Sequence, residues 1–111
     1  MRDLAENPHL ALQRAILAGL TPAHVTIESE SVTPWASATF SGARHSFDVT
    51  VIGENAIAAA ANLSVIISGD QVSINGHVVA DILLSSHQLI RSCDVPTVVI
   101  GIEALTVNAE E

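Results

Sequence analysis

The sequence predicts an α+β fold, a five- or six-stranded, mainly antiparallel sheet with two helices packed on one face. Three observations carry this. Helix signals occupy two stretches, near residues 8–18 and 54–67. Several other segments alternate apolar and polar residues with period two, the pattern of strands with one buried face. Two of the connections, at Ser41-Gly42-Ala43 and Asn75-Gly76, read as hairpin turns. The element order reads α-β-β-β-α, a short strand, then two long strands.

Asn7-Pro8 is an N-cap followed by proline at the first helical position. Leu12, Ala15, Ile16 and Leu20 then share one helical face, and Gly19 marks the end of a helix running from about Pro8 to Ala18. Three strand-like segments follow. Val25 and Ile27 alternate with Thr26, Glu28 and Glu30; Ala36, Ala38 and Phe40 with Ser37, Thr39 and Ser41; and Phe47, Val49 and Val51 with Arg44, Ser46, Asp48 and Thr50. Ser41-Gly42-Ala43 reads as a hairpin connection. An alanine-rich second helix is expected from about Glu54 to Ile67, with the Glu54 carboxylate at its positive end and Gly69-Asp70 as its breaker. A short strand, Val72 to Ile74, leads through Asn75-Gly76 into a long strand from His77 to Leu84. A polar loop from Ser85 to Pro96 precedes the last strand, Thr97 to Val107. Residues 1–111 form one domain, with ends fraying over about 1–6 and 108–111. Shared parity or helical phase assigns Leu12, Ile16, Val25, Ile27, Phe40, Phe47, Val49, Ile57, Val78, Ile82, Ile100 and Ile102 to one core.

Composition narrows the function classes. With 49% hydrophobic and 14% charged residues over 111 positions, the chain can build a core without disulfides or metal. Cys93 is the sole cysteine, so an internal disulfide is excluded. The first eight residues lack the apolar segment of a secretory signal, and no run of about 18 apolar residues spans a membrane. The expected location is the cytoplasm. The formal charge of −8 arises from twelve carboxylates against four arginines, Arg2, Arg14, Arg44 and Arg91, scattered along the chain. Phosphate binding needs clustered cations, so nucleic acid and anionic membranes are not expected partners. The first five elements, about 8–67, resemble a double-stranded-RNA-binding domain in their order. That family relies on lysines at the start of its second helix, where this chain has Asn55-Ala56-Ile57-Ala58, and RNA binding is rejected.

The last two long strands carry the candidate chemistry. Val78, Ala80, Ile82 and Leu84 form one face with Val98, Ile100, Ile102 and Ala104; His77, Val79, Asp81 and Leu83 form the other with Val99, Gly101, Glu103 and Leu105. Strands apolar on both faces are normally covered on both. Two helices cover one face, so the second calls for another partner. On that face His77 and Asp81, four residues apart, lie about 13 Å from each other, with Glu103 on the same side. A histidine and two carboxylates beside apolar neighbours suit acid–base work or the binding of a cation. The leading expectation is a non-catalytic, self-associating binding or interaction module. It would be a homodimer through the helix-free face, using Val79, Leu83, Val99, Leu105, Val107 and Trp35. The alternative is a small enzyme or small-ligand-binding protein built on His77, Asp81 and Glu103. His9, His24, His45 and His87 lack metal-ligand spacing, so no metal is expected. No glycine-rich phosphate loop or dinucleotide fingerprint is present, so no cofactor is expected either. Asp94 beside Cys93 disfavours a thiolate nucleophile. Arg44 and Asp48 are expected to pair across strands with neighbours such as Glu28.

Overall fold

Asn7 caps the first helix as its side chain predicts: Oδ1 accepts the backbone N–H of His9 at 3.0 Å and of Leu10 at 3.2 Å. The computed structural model describes residues 7–20, 23–68, 74–90 and 94–109. In chain order they form α1 (Pro8–Leu20), β1 (His24–Ala36), β2 (Ser41–Ile52), α2 (Ala56–Ser68), β3 (His77–Ile90) and β4 (Thr97–Asn108). The strands make one antiparallel sheet in the order β1-β2-β4-β3.

The α+β class and the two helices are as expected, but the described sheet has four strands rather than five or six. The second expected strand, Ala36 to Ser41, is instead the reversal between β1 and β2. β1 runs through Pro34 to Ala36, and the chain reverses over residues 37–40 instead of at 41–43. There the Ser37 N–H donates to the Phe40 carbonyl at 2.7 Å, and Ser37 Oγ accepts the Phe40 N–H at 3.1 Å. Gly42 therefore sits inside β2, where a Cβ would lie 1.9 Å from the carbonyl oxygen of Thr106, so only glycine allows this approach of β2 to β4. Of the short strand at 72–74, Val72 and Ser73 lie outside the described residues. Ile74 makes an isolated bridge to His77 around a turn with Gly76 at φ +86°. Ser85–Ile90, expected as loop, extends β3. Gly19 lies within α1, and its carbonyl accepts a 3.1 Å hydrogen bond from Asn62 Nδ2 of α2. The Gly69-Asp70 breaker, Cys93 and the fraying expected at 1–6, 110 and 111 lie outside the described residues.

Both helices cover the same side of the sheet. Leu12, Ile16 and Leu20 of α1 and Leu63 of α2 pack with Phe47, Val49, Val51, Val98, Ile100 and Ile102 of the two central strands, all essentially inaccessible. From the expected core, Val25, Ile27 and Ile82 are half-buried against this cluster. Three members are corrected: Phe40, Ile57 and Val78 are 54%, 53% and 55% exposed. Phe40 belongs to the reversal at 37–40, and Ile57 faces outward from α2. Val78 is turned out by a bulge. The edge strands carry three register shifts, between Ile27 and Ser29, between Val79 and Asp81, and between Leu84 and Ser86. Each adds one residue and exchanges the faces of everything on one side of it.

Candidate functional site

The register lays out the helix-free face as rows across β1, β2, β4 and β3. At the hairpin end stands the row Trp35, Gly42, Val107, Val78. The next is Thr33, Arg44, Leu105, Asp81, followed by Ser31, Ser46, Glu103, Leu83. Below them come Ser29, Asp48, Gly101, Ser86, and then Thr26, Thr50, Val99, Gln88. The face is thus divided lengthwise. The β1–β2 half presents mainly hydroxyls, with Arg44, Asp48 and Trp35; the β4–β3 half presents mainly apolar side chains, with Asp81 and Glu103 set among them and Ser86 and Gln88 at one end.

Asp81 and Glu103 therefore share a face, as diagonal neighbours on adjacent strands. They border a concavity of about 250 Å³ together with Ser31, Thr33, Arg44, Ser46, Leu83 and Leu105. Arg44, Asp81 and Glu103 are all exposed, and among the described residues Arg44 forms no ion pair. Its expected pairing with Glu28 is not formed: Arg44 stands opposite Thr33, whereas Glu28 lies in the bulge beside Asp48 and Val49. Asp48 accepts instead a 2.7 Å hydrogen bond from Ser29 Oγ. One cation flanked by two carboxylates and a ring of hydroxyls suits a ligand or partner surface that carries both signs of charge.

His77 does not join this group. The bulge at Ala80 puts His77, opposite Asn108, and Val79, opposite buried Thr106, on the helix side of the sheet. The expected face-sharing of His77 with Asp81, and of Val79 with the apolar set of the open face, is corrected accordingly. Val78 takes the place of Val79 on the open side.

The helix side holds a polar chain that sequence spacing did not reveal. His9 Nδ1 lies 3.0 Å from His45 Nδ1, His45 Nε2 lies 2.9 Å from Thr106 Oγ1, and His9 Nε2 contacts a Glu30 carboxylate oxygen. The His9 ring stacks on Phe47 with centroids 4.7 Å apart. Glu30 reaches this side only because the bulge at Glu28 shifts it there, opposite Phe47. The bonds can run in one direction with both imidazoles neutral: Thr106 donates to His45, His45 to His9, and His9 to Glu30. His45 is 2% exposed, and burial, then the nearby His9 and His77, lower its pKa to about 4. Among the described residues, no three His, Cys, Asp or Glu side chains converge as metal ligands. The one sequence signal for the chain was the parity of His45, which falls in phase with Phe47 and Val49 on β2.

No protein-family model matches the chain, and no curated protein matches it. Among solved structures, a chain from the virion of a native gene transfer agent particle is similar, with a TM-score of 0.60 and 21% identity over 80% of this chain and 72% of that one. The likeness is one of fold. Among the described residues, no helix is long and apolar enough to cross a membrane.

Proposed function

We propose that this protein is a non-catalytic, self-associating structural module that joins a second copy through the helix-free face of its sheet. The observation that carries the reading is the composition of that face. Val78 and Leu83 are 55% and 42% exposed, and Val99, Leu105, Val107 and Trp35 are half-buried beside them. Side chains of this kind cluster on soluble chains mainly where a partner covers them. Four strands about 4.8 Å apart, of 12 to 14 residues each, make a face of about 19 by 43 Å. That is on the order of 800 Å² per copy, close to what a standard specific interface buries. The shared fold with a chain of a virion particle supports an assembling role, in the cytoplasm or in a particle put together there.

A second reading keeps the concavity at Arg44, Asp81 and Glu103 as a small-ligand site, favoured by its roughly 250 Å³ of open space. Sedimentation at micromolar concentration separates the two. The wild type should sediment as a dimer and Val99→Asp as a folded monomer. The outer side of α2 supplies the control, because Val65 there is 63% exposed on an uncharged helix. A monomeric wild type, or association abolished by Val65→Asp and untouched by Val99→Asp, would overturn the proposal.

A further inference from the structure

We infer that Arg44 of one copy is the counter-ion of the Asp81–Glu103 carboxylate pair of the second, across a twofold axis parallel to the strands. The inference rests on the self-association just proposed and assigns its geometry and its recognition residues. Arg44 stands opposite Leu105 in the register, Leu105 opposite Asp81, and Glu103 occupies the adjoining row beside Leu83. Face-to-face packing needs the twofold to lie in the plane between the sheets, and sheets stack with nearly aligned strands. An axis along the strands, between β2 and β4, carries β2 of one copy over β4 of the other and β1 over β3. Arg44 then arrives above Leu105, with Asp81 to one side and Glu103 one row along, and the contact occurs twice.

At the hairpin end apolar groups meet across that axis, while Leu83 meets Ser31 and Val99 meets Thr50. Trp35 comes over Val78, which is 55% exposed, and Gly42 leaves room for Val107. Thr33 meets Asp81, and Ser46 meets Glu103, so hydroxyls cover carboxylates. An axis across the strands that sets Arg44 over Asp48 fails on charge. To bring Arg44 over Asp48 it must pass through the row of Ser46 and Glu103, which lays Glu103 against Glu103. Like charges placed together at an interface are a strong penalty. Asp48 is moreover already engaged by Ser29.

A charge exchange tests this. Sedimentation equilibrium would compare the wild type, Arg44→Glu, Glu103→Arg and the double variant Arg44→Glu/Glu103→Arg. Emission from the single tryptophan, Trp35, gives a second readout, and circular dichroism checks that each variant is folded. Each single variant should weaken the dimer about tenfold or more, and the double variant should recover most of that loss. If the wild type is a dimer broken by Val99→Asp yet indifferent to Arg44→Glu, the inference falls and the proposed function stands. It falls too if the double variant is as weak as either single one, or if the wild type assembles beyond two copies through this face. A monomeric wild type removes both.

Discussion

The two faces of this sheet are written by the same strands and spend their polar groups differently. On the covered face, His45, Thr106 and His9 are joined in one hydrogen-bonded chain that ends on Glu30, and the other fully buried side chains of the central strands are apolar. Its polar chemistry is consumed in holding α1 to the sheet. On the open face, Asp48 bonds to Ser29, but Arg44 forms no ion pair among the described residues, and Asp81 and Glu103 are exposed beside it. A buried polar group must find its partner within the fold, whereas an exposed one can wait for a partner from outside. This asymmetry is why the recognition surface is assigned to the open face, although the covered face holds the denser cluster of titratable side chains.

The contrast is broken most severely from the covered side. Phe47 is fully buried among Leu12, Ile16 and Ile102, and His9 stacks on its ring. Phe47→Ala should cost about 3–5 kcal/mol in reversible denaturant unfolding. A loss below about 1 kcal/mol would mean that the two faces of β2 have been exchanged.

Acid should also act on the covered side. His45 has a folded pKa of about 4 against 6.5 for the free side chain, first through burial and then through His9 and His77. Between those values the unfolded chain takes up a proton that the folded chain resists, so stability falls as the pH drops from 6.5 to about 4. Below that the contribution is flat. The total is roughly 3 kcal/mol. His45→Gln should unfold more easily at pH 7 but lose most of its pH dependence in this window. An unchanged slope between pH 6.5 and 4 in the variant would assign the acid sensitivity to other groups.

Val99→Asp moves the test to the open face. Its backbone partners are Thr50 and Gln88, both on the helix-free side. The isolated monomer should lose about 1 kcal/mol or less, as surface substitutions do, while dimerisation is lost. Unfolding must be compared at several protein concentrations, because association adds to apparent stability. A large loss independent of concentration would show that Val99 is covered by its own chain.

How much of this was legible in the sequence follows from where the bulges lie. β2 and β4 pair with each other without a register shift, and their alternation gave the correct faces for Phe47, Val49, Ile100, Ile102 and Glu103. β1 and β3 are edge strands, and their bulges at Glu28, Ala80 and Ser85 carry no glycine or proline to mark them. Asp81 lies past the first β3 bulge and was placed correctly, whereas His77 and Val79 lie before it and were placed on the wrong side. The strand count failed at Ala36–Ser41, where alternation of small residues continues through a turn closed by Ser37 and Phe40. The His9–His45 contact spans 36 residues, so no local spacing could encode it.

The smallest expected effect sharpens the comparison most. A side chain engaged within its own chain has a stability value; one reserved for a second copy has almost none in the monomer. Arg44 is exposed on the open face and makes no internal ion pair among the described residues, so Arg44→Ala removes no satisfied contact. Its neighbour in register, Leu105, keeps its packing, and alanine at a strand position costs little. Measured under dilute conditions where the protein is monomeric, Arg44→Ala should stay within about 0.5 kcal/mol of the wild type. His9→Ala makes the matching change on the covered face. It removes both the contact with Glu30 and the bond to His45, which leaves buried His45 Nδ1 without its described partner, and should cost about 1–3 kcal/mol. If Arg44→Ala proved as costly as His9→Ala in the monomer, Arg44 would be engaged within its own chain. The division of labour between the two faces would then fail at its most informative residue.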